Sequence, residues 1–440
     1  MNIHIHPIPT RILLTLCGLL LSLGAQSGVV IEHWKTTRGS EVLFVENHSL
    51  PIVDVSLNFI AGSARDTPAL SGLAALTQSM MPLGAAGRSN EALNHQLADV
   101  GALLDSEFDA DRSTFKLRTL SSPREKKQAL QVFRQILQQP DFPIALLERE
   151  KLRTIAGLKE AASQPETIAR GALMRSIYGA HPYGLTEAGE IETVNKLSRD
   201  DLQRFYQTYY NAEYAVITLI GDLSLQDAQQ LAETLSAGLP QSLSVPPIPK
   251  VIPPLTAHVQ RLAHPASQAH ILLGYSGVVR GDVDFFPLYV GNYILGGGGF
   301  VSRLTEEVRE KRGLAYSVYS YFLPMAELGL FEVGLQTKKA QADTALGLVQ
   351  SVIARFVAEG VSEAELVAAK ANLIGGFPLR LDSNSKILDY LNVIGFYHLP
   401  FNYLDNYPQH IQAVTAAQIK EAFSRRLRLD AFSIVVVGGQ

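Results

Sequence analysis

The sequence predicts an α+β fold made by tandem duplication of two homologous α/β-sandwich domains. Three observations carry this. Blocks of similar sequence recur at a nearly constant spacing, a proline-rich stretch separates them, and strands are interspersed with helix pairs without a regular βαβ alternation. The first block, VDVSLNFIAGSARD from Val53, matches AHILLGYSGVVRGD from Ala269, an offset of 269 − 53 = 216 that sets Leu57 over Leu273 and Asp66 over Asp282. The second, FPIALLEREKLRTIAG from Phe142, matches VSEAELVAAKANLIGG from Val361 at an offset of 219, with Leu147 over Leu366 and Lys151 over Lys370. In the third, SRDDLQRFY…VITLIGD matches TAAQIKEAF…SIVVVGG at an offset of 217, and Gly221 and Gly438 each end a strand-like run.

From the N-terminus, Arg11 precedes an apolar run over residues 12–23 and the small-residue stretch Gly24-Ala25-Gln26, the layout of a signal peptide cleaved near Ala25. A dozen apolar residues fall short of the ~20 that a membrane span needs, so the expectation for residues 1–25 is export rather than anchoring. The one cysteine, Cys17, lies in this segment, which leaves the mature chain without disulfides or thiolate metal sites. The remaining 440 − 25 = 415 residues exceed the size at which a single core usually divides. A net charge of −4 with 18% charged residues and no long charge run offers no electrostatic footprint for nucleic acid. A protein or peptide partner is expected instead.

The N-terminal domain occupies residues 26–240, a linker follows over residues 241–256, and the C-terminal domain spans residues 257–440. The linker opens with QSLSVPPIPKVIPP, whose five prolines and missing helical period mark an extended segment. Each half reads strand, helix, strands, two or three long helices and a closing strand. Alternating or β-branched runs such as residues 53–57 and 114–117 mark strands. Residues 124–138 mark a helix, with Leu130, Phe133, Ile136 and Leu137 on one face and Ser121-Ser122-Pro123 before its start.

The order of these blocks, with HPYG at residues 181–184, the DLQRFYQTYY…VITLIGD block and GGGGFVSRLTEEVREKRGLAYSV, resembles the pitrilysin-type metallopeptidases. This family, M16, includes the mitochondrial processing peptidase and two-subunit bacterial proteases. The resemblance covers essentially the whole mature chain and implies the LuxS/processing-peptidase-like metallohydrolase fold, with the two halves forming a clamshell. It also implies a zinc motif, H-x-x-E-H, on the first helix of the N-terminal half, where two histidines four apart bind the metal and the glutamate activates water. The matching stretch is GLAALTQSM, which places Ala75 and Ser79 at the histidine positions and Gln78 at the base. The third ligand of the family, a glutamate eight residues before a proline, falls on Gly157, counting back from Pro165. None of these residue types supplies an imidazole or a carboxylate, and no cofactor is expected in this chain. His264 and His270 are six apart, and His181, His398 and His410 are isolated, so no histidine set has ligand spacing.

The second half retains what the resemblance assigns to substrate. An arginine and a tyrosine seven residues apart face the zinc across the chamber in the family, and VREKRGLAY supplies Arg309 and Tyr316. A guanidinium stays charged and donates through a rigid fork, while a phenol adds a neutral, directional hydrogen bond, a combination suited to a developing oxyanion. Residue type alone also fits an arginine paired with Glu306 or Glu310 and a tyrosine buried in a strand. The glycine run Gly296, Gly297, Gly298 and Gly299 corresponds to a loop near the substrate entrance of non-zinc subunits; a connecting loop is the plainer reading, and no GK[ST] follows for a nucleotide site.

The expected function is therefore a zinc-less subunit, inactive alone, of a heterodimeric metalloendopeptidase. Its partner is a homologous H-x-x-E-H subunit carrying the zinc, its substrate a peptide, and its location the periplasm if the source is Gram-negative. The alternative is a non-enzymatic scaffold or peptide-binding protein derived from the same fold. An autonomous hydrolase is disfavoured, since no G-x-S-x-G elbow marks a nucleophile.

Overall fold

The structure, a computed structural model, describes residues 29–241 and 244–438. The segment expected to be a signal peptide lies outside the described residues. The first half runs β1 (Glu32–Lys35), β2 (Glu41–Glu46), β3 (Ile52–Phe59), α1 (Leu73–Met80), a short hairpin of β4 (Gly84–Ala85) and β5 (Arg88–Ser89), and α2 (Asn90–Ala98). It continues through β6 (Leu103–Phe108), β7 (Ser113–Leu120), α3 (Pro123–Gln138), α4 (Ile144–Ala161), α5 (Pro165–Tyr178), α6 (Ile191–Lys196), α7 (Arg199–Tyr209), β8 (Val216–Gly221) and α8 (Leu225–Ala237). The second half comprises β9 (His258–Leu262), β10 (Gln268–Ser276), α9 (Phe285–Asn292), β11 (Val318–Leu323), β12 (Leu330–Lys338), α10 (Ala342–Glu359) and α11 (Glu363–Gly375). It closes with α12 (Asn384–Phe396), α13 (Tyr403–Ala413), α14 (Ala416–Arg426) and β13 (Ser433–Val437). No single helix among the described residues is long and apolar enough to cross a membrane.

The duplication read from sequence is present in the sheets. The first has the order β1-β2-β8-β3-β7-β6 and the second, read from its other edge, β9-β13-β10-β12-β11, so apart from β1 the strand orders are the same. In both, the closing strand runs parallel to the opening one, β8 along β2 and β13 along β9, while the remaining pairs are antiparallel. Local signals recur as well. Ser198 with Asp201 and Thr415 with Gln418 form capping boxes at the starts of α7 and α14. Gly221 and Gly438 both take positive φ where the closing strands end, and a Cβ on Gly221 would stand 2.1 Å from the Ile52 carbonyl oxygen.

The central strands read as continuous apolar runs because both of their faces are buried; every residue of β8 is buried. The cover on the second face comes from the other half. Helix α5 packs across β10 and β13 of the second sheet, and α12, its counterpart, packs across β8 and β3 of the first. Close approach at each crossing depends on a glycine. A Cβ on Gly274 in β10 would sit 2.8 Å from Ile177 of α5, and one on Gly395 in α12 would sit 2.5 Å from Val216 and 2.9 Å from Leu43.

Each exchanged helix also carries an ion pair to the sheet it covers, with the charges reversed. Arg170 of α5 grips the fully buried Glu332 of β12 through two bonds of 3.0 Å, and the hydroxyl of Tyr321 accepts a third. On the other side Asp389 of α12 takes Lys116 of β7 at 2.6 Å, and 389 − 170 = 219, the offset that aligns the halves. Removing one member of such a pair leaves a buried charge uncompensated, which typically costs ~3–5 kcal/mol; the partial exposure of Arg170 lowers that expectation to about 2 kcal/mol. Urea unfolding of Arg170→Met should show this loss, and Arg170→Met with Glu332→Met together should recover most of it. An Arg170→Met chain as stable as wild type would show that the pair does not hold the halves.

Candidate functional site

Helix α1 begins where Asp66 turns its carboxylate onto the helix start, accepting from Gly72 N–H at 2.7 Å and Ala74 N–H at 2.9 Å. Gly72 has φ +91° and meets the segment at Ala188 and Gly189 so closely that a Cβ would lie 2.8 Å from the Ala188 carbonyl oxygen. The helix is thus fixed in position by two chain segments. Ala75 and Ser79 share its half-exposed face, the i, i+4 geometry that two metal-binding histidines would need. They present a methyl and a hydroxyl, and the Ser79 hydroxyl donates to Leu76 O at 3.0 Å. Gln78 is buried, and its side-chain amide donates to Glu107 O at 2.7 Å, which ties α1 to the sheet. Gly157 lies on α4 with no atom within 4 Å of where a Cβ would be. Methyl, hydroxyl, amide and hydrogen at these positions do not make a zinc donor set.

The histidines serve local structure. His264 Nε2 meets Ser163 O at 3.1 Å, His181 Nε2 meets Pro249 O of the linker at 2.7 Å, and His410 stacks on Phe286 with ring centroids 4.7 Å apart. Burial lowers the pKa of His270. Among the described residues no group of three His, Cys, Asp or Glu side chains could hold a metal ion.

Gly157 lines a cavity of about 1040 Å³ whose wall comes from both halves, including Asp111 and Tyr183 from the first and Arg280, Met325 and Tyr397 from the second. Ala75, Gln78, Ser79, Arg309 and Tyr316 are not part of that wall. Its junction is built on HPYG. The Tyr183 hydroxyl donates to Asp111 Oδ1 at 2.5 Å and accepts from Glu327 N–H at 3.1 Å, while Tyr183 N–H donates to His181 Nδ1 at 3.1 Å. Sequence carried HPYG as a resemblance only, without its bridging part.

Arg309 and Tyr316 come together on the surface of the second half. Arg309 lies in the last turn of a π-helical segment, Thr305–Glu310, and its guanidinium lies 5.4 Å from the centre of the Tyr316 ring and 4.7 Å from that of Phe300. Such contacts contribute ~0.5–1 kcal/mol at exposed sites and fix the direction of the cation. Among the described residues its one carboxylate contact is Glu310 at 3.4 Å, since Glu306 pairs with Lys311. Tyr316 is 83% exposed and precedes β11, so it is not a strand tyrosine packed into the core. Phe300, at 68% exposure, was not singled out from sequence, although its place directly after four glycines beside an arginine motif was visible.

The glycine run is mostly not a free loop. Helix α9 continues into a π-helical turn, Tyr293–Gly297, and a Cβ would stand 2.4 Å from Ser320 Oγ at Gly296, 2.7 Å from Asn292 Nδ2 at Gly297 and 2.6 Å from Tyr293 O at Gly298. Gly299 alone of the four has positive φ, +62°, with nothing near, and it turns the chain so that Phe300 reaches Arg309.

The site thus defines a metallohydrolase scaffold without its metal ligands. The profile described as "Insulinase (Peptidase family M16)" matches residues 41–189, and "Peptidase M16 inactive domain" matches residues 196–373. A "peptidase M16 inactive domain" from Pseudomonas fluorescens, solved by crystallography, is 36% identical, with a TM-score of 0.90 over 93% of this chain and 98% of that one. The "Non-peptidase homolog YmxG" of Helicobacter pylori is 27% identical over 91% of this chain and 92% of its own length. The "Uncharacterized zinc protease YmxG" of Bacillus subtilis is 25% identical over 81% and 86%. The chain belongs to peptidase family M16.

Burial pushes the pKa of Asp66 up to about 7, against the opposing pull of the Ala74 and Gly72 N–H groups. Because the folded chain holds this proton over a range where the unfolded chain, with an aspartate near 3.8, has released it, stability declines as pH rises from about 4 through about 7. The melting temperature of wild type minus that of Asp66→Asn should therefore be more positive at about pH 5 than at about pH 8. A difference that is constant or grows with pH would contradict a protonated Asp66 at the start of α1.

Proposed function

We propose that this chain is the zinc-less subunit of an exported two-subunit metalloendopeptidase, pairing with a homologous H-x-x-E-H subunit that holds the zinc and the general base. Arg309 and Tyr316 are its contribution to catalysis in the pair. The observation that carries this reading is the contrast between the two halves. The metal positions hold no ligand, whereas Arg309 is held between the Phe300 and Tyr316 rings on an open surface. An 83%-exposed tyrosine beside a 68%-exposed phenylalanine leaves apolar area in water that a covering partner and peptide would bury.

In the pair, the guanidinium and the phenol would donate to the carbonyl of the scissile peptide bond from the side opposite the partner's metal. Donors already aligned before the carbonyl oxygen gains charge need no rearrangement as it does so, and this makes the pair more than a binding contact. The guanidinium is restrained by two rings and by Glu310, so little side-chain freedom is left to lose.

Neither purified chain alone should cleave a peptide that the mixture cleaves. In the mixture, Arg309→Ala should lower kcat by about 10²-fold and Tyr316→Phe by about tenfold, with smaller changes in KM, as removal of single oxyanion donors does. Full activity of the zinc-bearing chain by itself, or a mixture indifferent to both substitutions, would contradict the proposal and favour a scaffold.

A further inference from the structure

The cavity between the halves contains donor groups that neither the metal positions nor the Arg309–Tyr316 pair uses. At its junction Asp111, near the tip of the β6–β7 hairpin, is 2% exposed and already accepts three hydrogen bonds. They come from the hydroxyls of Tyr183 at 2.5 Å and Tyr397 at 2.8 Å and from Ala326 N–H at 2.8 Å. Its acceptor capacity is largely taken by these donors, which leaves little for nearby cations.

Two guanidiniums attend the same Tyr397 ring. That of Arg112 lies 5.9 Å from the ring centre and that of Arg280 lies 5.1 Å from it. Arg112 spends its Nε on Asp109 at 3.0 Å, but its Nη1 is buried without a protein acceptor. Arg280 makes no ion pair among the described residues, and its Nε is also buried without a protein acceptor. The other acids in this wall are Glu166, Glu190, Asp109 (paired with Arg112) and Glu187, whose pKa is raised by burial, which weakens it as a counter-charge. A buried N–H donor on a cation that lacks an acceptor costs ~1–3 kcal/mol or more, so the arrangement favours an acceptor supplied from outside. At about 1040 Å³, with Leu158, Met174 and Leu330 in its wall, the space suits a short peptide segment.

We propose that this cavity is an anchoring subsite for a peptide carboxylate, held by Arg112 and Arg280 beside the Tyr397 ring. The inference rests on the reading of this chain as a peptide-handling subunit, and it adds a substrate class: peptides carrying an acidic side chain or a free C-terminus. Both offer the planar, two-oxygen acceptor that a guanidinium matches. The subsite belongs to this chain alone, so it operates without zinc and without the partner.

The test is fluorescence anisotropy on the purified chain by itself, with fluorescein-labelled penta-alanine as probe in four forms. These have a free or an amidated C-terminus and carry Asp or Asn at the central position. Binding is expected for any form with a carboxylate and to be at least about tenfold weaker for the amidated Asn form, the loss expected for one charge-assisted contact. Loss on amidation assigns the terminal carboxylate, and loss on Asp-to-Asn exchange assigns the side chain. Arg280→Gln should weaken binding by about tenfold, whereas Arg428→Gln, at an exposed ion pair outside the cavity wall, should leave it unchanged. On the wild-type chain, the bound peptide should protect Arg280 from phenylglyoxal, read by mass spectrometry, so a variant that fails to fold does not decide the question. Equal affinity for all four forms, or modification of Arg280 at the same rate with and without peptide, overturns the proposal. Because no hydrolysis is read, failure here leaves the two-subunit reading standing, and loss of that reading through the Arg309 variants leaves this binding measurable.

Discussion

The two-sided burial of the central sheets governs the rest of the molecule. A strand such as β8, buried along its whole length, needs cover on both faces, and each half lacks its own second cover. The exchange of α5 and α12 supplies it, so neither half has a complete core alone. The clamshell of this family member is therefore held by interpenetration rather than by contact of two finished surfaces. The cavity that Gly157 lines is a consequence of the same arrangement.

The two crossings differ chemically, and the difference prevents either helix from serving in the other's place. Under α12, Asn58 donates to Asn392 at 2.8 Å, Thr218 donates to the same oxygen at 2.5 Å, and Thr114 donates to Asn58 at 2.8 Å. Under α5 the contact at Gly274 is apolar, with Leu173 and Ile177 against it, a hydroxyl pair joins Ser176 to Ser433 of β13, and the reversed ion pairs add a second distinction. A wrong pairing would bury an amide against leucine and bring like charges together, each a penalty of some kcal/mol. Duplicated halves carry a risk of mispairing, and these contrasts reduce it.

Much of this was readable from the chain. The repeat offsets predicted two similar sheets because strand and cap positions recur at the same spacing as the apolar pattern. The pairing of Ala75 with Ser79 was readable because positions four apart in a helix share a side, and both lie on the half-exposed face of α1. The helix exchange was not readable. Periodicity shows that α12 has an apolar face but not which sheet receives it, and only Gly395 within the helix hinted at a close crossing. Phe300 escaped for a related reason: its contact with Arg309 arises from the turn at Gly299, not from a repeat or a motif. The glycine run looked like a flexible loop, yet three of its members are required by close contacts with Ser320, Asn292 and Tyr293. The bridging part played by Tyr183 depends on groups from both halves meeting at Asp111, which no local pattern encodes.

The two halves differ in what they present: Ala75, Gln78, Ser79 and Gly157 in the first carry no imidazole or carboxylate, and the second offers a restrained Arg309 and an exposed Tyr316. Zinc content measured together with peptide hydrolysis tests this division most directly, on the purified chain, on its zinc-bearing relative and on the two combined. Negligible zinc and no cleavage are expected for this chain, and about one zinc per pair with cleavage for the combination. Stoichiometric zinc on this chain, or cleavage by it alone, would contradict this expectation.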